Sequence, residues 1–178
     1  MINPDVVVDA RMRKQSPSEG KELASLVIVL GPGFVSDENC HAVIETNRGH
    51  NLGRVLWRGV AEQDTGIPVS VQGYSSERVL RSPGDGILQT KTEIGDILLK
   101  DTLVAQIGDI PVVAPFDGIL RGLLRDGTRV KQGLKIGDLD PRKDPNLCKL
   151  ISDKSRAIGG GVLEAILACP DLRSVLWT

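Results

Sequence analysis

Aromatic rings are scarce in this chain: two Trp, two Phe and one Tyr, 3% of 178 residues. Its core must therefore be aliphatic, built from Val, Ile, Leu and Ala, and stacking platforms for bases are not expected. Cysteine is nearly as rare. Cys40, Cys148 and Cys169 are odd in number, far apart and without a Cys-x-x-Cys pair, which fits free thiols in a reducing cytoplasm. Neither sign of charge dominates, since 22 basic residues face 23 acidic ones and the pI is near 6.1. That balance argues against bulk binding to nucleic acid or an anionic membrane, while leaving room for a local basic pocket. No apolar run reaches the roughly 18 residues that a membrane helix needs, and Met1-Ile2-Asn3-Pro4-Asp5 shows no signal-peptide pattern.

Glycine and proline, by contrast, are plentiful, at 20 and 10 residues, and predict many turns and short strands. Val6 to Ala10 is a β-branched run that reads as a buried strand, with Asp9 and Arg11 at its polar end. An exposed edge on that strand would favour self-association into a homo-oligomer. Ser16-Pro17-Ser18-Glu19 has the form of a capping box, although Gly20 limits it to a turn. Leu26 to Leu30 is a second apolar strand ending in Gly31-Pro32-Gly33. His41–Thr46 and Gly53–Arg58 predict an antiparallel hairpin, Ile67–Val71 another short strand, and Cys148–Ile151 one more. Ser152-Asp153 caps a helix that runs to a stop before Pro170 and contains Gly159-Gly160-Gly161. Three glycines inside a helix cost about 1 kcal/mol each relative to alanine, so close packing or a ligand is expected to offset them.

The middle of the chain is written twice. Pro83-Gly84-Asp85-Gly86-Ile87-Leu88 returns thirty-two residues later as Pro115-Phe116-Asp117-Gly118-Ile119-Leu120. The same offset places Gly95 on Gly127, Leu98 on Val130 and Val104 on Ile136, the mark of one supersecondary unit used twice. Asp85 and Asp117 read as turn residues. Residues 77–140 resemble the biotinyl/lipoyl-carrier domain, which implies a flattened barrel-sandwich hybrid of two related sheets. That family carries its cofactor on a lysine at the hairpin tip between its halves. Here the tip is Gln106-Ile107-Gly108-Asp109-Ile110-Pro111, and no lysine lies between Lys100 and Lys131. Covalent biotin or lipoate is therefore not expected, and a carrier function is the least favoured reading.

Longer blocks carry a second resemblance. Val6 to Arg11, Leu30 to Phe34, His41 to His50, Thr65-Gly66-Ile67-Pro68 and Ile151 to Ala165 are similar to the YqeB-type accessory family of the selenium-dependent molybdenum hydroxylase system. The chain resembles the C-terminal two-thirds of that family, without its usual glycine-rich N-terminal half. The resemblance implies an accessory role in hydroxylase maturation, with maturation proteins as partners. The expected fold is α+β and β-rich. A small α/β platform of residues 1–72 and 143–178 would carry an inserted biotinyl/lipoyl-like barrel at 77–140, built from two 32-residue repeats.

The candidate site lies on the platform. Gly31 and Gly33 could turn backbone N–H groups toward an anion, although Pro32 removes one donor. Arg48 and Arg54 could grip phosphate or carboxylate, and Glu45 and His50 are the first candidates as acid/base groups. Lys154, Arg156, Gly159 and Gly160 would add an anion site at a helix N-terminus. The expected ligand is pterin- or nucleotide-like. Metal is not expected, because Cys40 and His41 are adjacent and would face opposite sides of a strand. The competing reading is a non-enzymatic scaffold that only binds protein partners.

Overall fold

The computed structural model describes residues 3–12, 20–63, 66 and 68–175. They form three four-stranded sheets and two α-helices, an α+β architecture. The chain divides into two compact units, Met1–Thr65 with Ile151–Thr178, and Gly66–Leu150.

The first unit is built on a sheet of β1 (Val6–Asp9), β2 (Leu26–Leu30), β3 (Ala42–Ile44) and β4 (Val55–Leu56), in that spatial order. β1, β2 and β3 run parallel, and β4 closes the series antiparallel to β3. The period of two decides which residue feeds which core. Leu26 and Ile28 of β2 pack with Ile44, Ile158 and Ala165 on one face. Val27 and Val29 pack with Phe34, Cys40 and Val43 on the other. A strand covered on both faces reads as an unbroken apolar run, which is why Leu26–Leu30 does not alternate. β1 is the edge of this sheet and only partly buried, so it is less enclosed than its composition predicts.

The first face is covered by α1 (Asp153–Ala168), followed by the short α2 (Pro170–Val175). Ser152 starts α1 by accepting the Ser155 N–H on Oγ at 3.1 Å, the N-cap its sequence predicts. One of the three glycines has a steric reason. A Cβ on Gly161 would run into the carbonyl oxygen of Gly53, so only hydrogen lets α1 approach the turn there. Gly159 and Gly160 face open space. The capping sequence at 16–19 lies outside the described residues, as do Thr65 and Ile67 of the block at 65–68. Cys148–Ile151 is not a strand. Pro145–Cys148 forms a 3-10 turn, because Pro145 suits a first helical position and Asp144 Oδ1 accepts the Asn146 N–H at 2.9 Å.

The second unit holds the other two sheets. One has the order β5 (Val79–Arg81), β12 (Lys135–Asp140), β10 (Gly118–Leu123), β7 (Ile97–Leu98). The other has the order β11 (Arg129–Val130), β6 (Gly86–Thr90), β8 (Leu103–Ile107), β9 (Ile110–Val113). All neighbours are antiparallel. Both sheets feed one aliphatic core around Leu88, Val104, Leu120, Val130 and Ile136. The few aromatics are used sparingly, with Tyr74 stacked on Phe116 at 4.0 Å.

These sheets correct the expected fold class. Neither closes into a barrel, and the region is two open sheets rather than a barrel-sandwich hybrid of two 32-residue repeats. The end strands supply the reason. β7 and β11 contribute two residues each, too short a ladder to carry pairing from one sheet into the other. The two Asp-Gly aspartates also reach further than a turn. Asp85 Oδ1 accepts the Gln132 N–H at 2.7 Å, and Asp117 Oδ1 accepts the Lys100 N–H at 2.9 Å.

Candidate functional site

The parallel strands of the first unit present their carboxyl ends together, where open α/β sheets place ligands. β2 leads there into Gly31 and Gly33, at φ of 79° and 100°, the left-handed region that favours glycine. Gly31 does not offer its N–H to a ligand, because it donates to the Ile44 carbonyl at 2.9 Å. Gly31 is also needed for space: a Cβ there would stand 2.8 Å from Thr46 Oγ1.

β3 leads into Glu45 and Thr46, both buried. The Glu45 carboxylate is fully engaged with backbone. Oε1 accepts the Asn47 N–H at 2.7 Å and Oε2 accepts the Glu62 N–H at 2.8 Å. Such a carboxylate ties two loops together, a structural task, and its acid/base candidacy has no free oxygen behind it. His50 and Arg54 lie on the exposed surface of the 47–54 turn.

Arg48 meets Asp153 rather than an open site. Its Nη1 and Nη2 donate to the two Asp153 oxygens at 2.5 and 2.7 Å, the bidentate geometry arginine favours. Arg48, and then the backbone N–H of Lys154, hold the Asp153 carboxyl well below the usual range. Asp153 is thus the anion at the N-terminus of α1, supplied by the chain itself. Arg156, Gly159 and Gly160 are exposed further along α1. Of the predicted residues, Gly31 and Lys154 come together at one end of the sheet with Thr46, which sequence reasoning passed over. Nothing in Thr46's local sequence distinguishes it from any hydroxyl that follows a strand.

Cys40 and His41 serve the fold. Burial pushes the Cys40 thiol up to about 11, so it is a core residue and no nucleophile. His41 Nδ1 accepts the Val27 N–H at 2.9 Å. Among the described residues, no group of three or more His, Cys, Asp or Glu could hold a metal ion, and no helix is long and apolar enough to cross a membrane.

No protein-family model matches the chain. Over 166 residues, 93% of its length, it is 46% identical to a protein of Escherichia coli (strain K12) described as "Uncharacterized protein YqeB". The match takes in 31% of that protein, so the chain spans about a third of the curated relative it matches, not the expected two-thirds. The relative's description names no molybdenum, selenium or hydroxylase role, and the described residues offer no metal cluster. The comparison therefore supports neither the molybdenum-hydroxylase role nor the selenium dependence that the resemblance implies.

Proposed function

We propose that this chain, homologous to YqeB of Escherichia coli over 93% of its length, is a non-enzymatic scaffold that binds a protein partner. The observation that carries the reading is strand β9. It pairs with β8 on one side and ends its sheet on the other. Ile110 is 47% exposed and Val113 40%, and Leu103, directly opposite Val113, is also exposed. Apolar side chains along an unpaired edge invite a partner strand, with main-chain hydrogen bonds for affinity and side-chain contacts for choice. Proteins usually blunt such an edge with charge or proline; β9 carries no charge, and its Pro111 withholds one N–H while leaving the carbonyls and the other N–H groups of the strand.

The neutralisation of Arg48 in the first unit supports the same reading. Arg48, the leading candidate for gripping an anionic ligand, is already held by Asp153. A photo-crosslinker at Val113 in cells should give one discrete conjugate, and Ile110→Lys should remove it without shifting the thermal midpoint. A conjugate pattern indifferent to Ile110→Lys would sink the reading.

A further inference from the structure

Beyond the carboxyl ends of β2 and β3 lies a cavity of about 160 Å³ in the first unit. Met12, Leu30 and Pro32 form its apolar wall, and Thr46, Glu62 and Lys154 bring polar groups to it. Thr46 is 5% exposed, and its hydroxyl makes no hydrogen bond among the described residues. A buried hydroxyl without a partner is unfavourable unless something in the adjoining space completes it.

The charges of the cavity have no ion-pair partners among the described residues. Lys154, in the first turn of α1 and half-buried, has no ion pair among the described residues. Glu62 accepts from the Asn47 side-chain amide at 2.6 Å and from that of Asn51 at 3.5 Å, but from no cation among the described residues. Lys154 and Glu62 line one cavity without pairing with each other. An ammonium without an ion pair, an exposed carboxylate that accepts only from neutral side-chain amides, an unpaired hydroxyl and an apolar wall therefore border the same small volume.

We propose that this cavity binds a small aliphatic α-amino acid. The ligand's carboxylate faces Lys154 and Thr46, its ammonium faces Glu62, and its side chain packs on Met12, Leu30 and Pro32. Both charges of such a zwitterion meet an opposite charge, and the orphan hydroxyl gains its acceptor. The volume fits the same class. An apolar cavity of about 150 Å³ accommodates benzene, so the ligand is on the scale of valine and not of a nucleotide.

Isothermal titration of the full chain tests this, with L-valine as probe beside isovalerate, which lacks the amine, and isobutylamine, which lacks the carboxylate. Saturable binding of L-valine is expected, with each analogue weaker by about tenfold or more, the loss of one charge-assisted hydrogen bond. Thr46→Val and Lys154→Gln should each weaken L-valine by about tenfold while the ligand-free thermal midpoint stays put. Glu62→Gln is the substitute should either variant fail to fold. Absence of saturable L-valine binding, analogues that bind as well, or variants that bind like the parent each overturn the proposal. The outcome leaves the scaffold reading untouched, since β9 lies in the other unit.

Discussion

His41 has the side chain of a catalyst and the surroundings of a structural residue. Its Nδ1 accepts the Val27 N–H, and its own backbone N–H donates to the Val27 carbonyl at 2.9 Å. Burial, and then the nearby Lys21 charge, push the imidazole below its ordinary range. The folded chain therefore prefers His41 neutral. The stability this brings is present above the unfolded pKa of about 6.5 and is lost as pH falls through the lower folded value. Urea unfolding between about pH 7 and pH 5 should show the decline. His41→Ala should flatten it and lower stability by about 1–3 kcal/mol, because the Val27 N–H is left unsatisfied. His50→Ala, on the exposed turn, should leave stability at neutral pH unchanged. The sequence singled out His50 as an acid/base candidate and passed over the structural task of His41, because burial belongs to the neighbours and not to the residue.

At the scale of elements, α1 shows where a correct sequence signal stops being specific. The cap at Ser152 and the stop before Pro170 were legible, since both act within a few residues along the chain. The cost of three adjacent glycines was legible too, and so was the need for something to offset it. Which glycine does so was not. That depends on Gly53, which is distant in sequence and touches α1 only after the sheet is built. Gly161→Ala should destabilise the chain by about 3 kcal/mol through overpacking. Gly159→Ala and Gly160→Ala should each stabilise it by about 0.5–1 kcal/mol, the helix propensity gain where no neighbour objects. Thermal unfolding of the three variants checks both signs. A ligand that needed the backbone bared at Gly159 or Gly160 would show as lost binding in those two variants despite their higher midpoints.

At the scale of the whole molecule, the second unit depends on one buried carboxylate. Asp140 is 0% exposed and accepts from Arg142 at 2.7 Å, Arg78 at 3.1 Å and Arg121 at 3.2 Å. Arg78 is itself buried and also donates to the carbonyls of Leu139 and Val69, so the cluster ties β10 and β12 to the 3-10 turn Ser76–Arg78 and to the segment at Val69. The Arg142 hydrogen bond outweighs burial and holds the Asp140 carboxyl down at about 2. That depression corresponds to about 2 kcal/mol of stability, present above the unfolded pKa and lost as pH falls toward the folded one. Far-UV circular dichroism during acid titration should show unfolding between about pH 4 and pH 2. Asp140→Ala should lower stability at neutral pH by about 3 kcal/mol, since buried Arg78 then keeps only the longer Asp138 contact at 3.8 Å.

What the sequence determined by itself was local: the apolar run of β2, the β3–β4 hairpin, the cap of α1, and a hairpin tip without lysine. Each follows from steric preference, periodicity or the presence of one functional group, and needs no distant partner. The tertiary structure decided the rest. It left the two sheets of the second unit open, because two-residue end strands do not bridge sheets, and a repeated motif does not announce where its pairing stops. It set Asp153 against Arg48 across 105 positions, which closed the expected anion grip from within. It also buried Glu45 on two backbone amides and left the Thr46 hydroxyl unpaired beside a cavity. Charge pairing and burial are properties of what lies across space, and a chain read in order has no term for them.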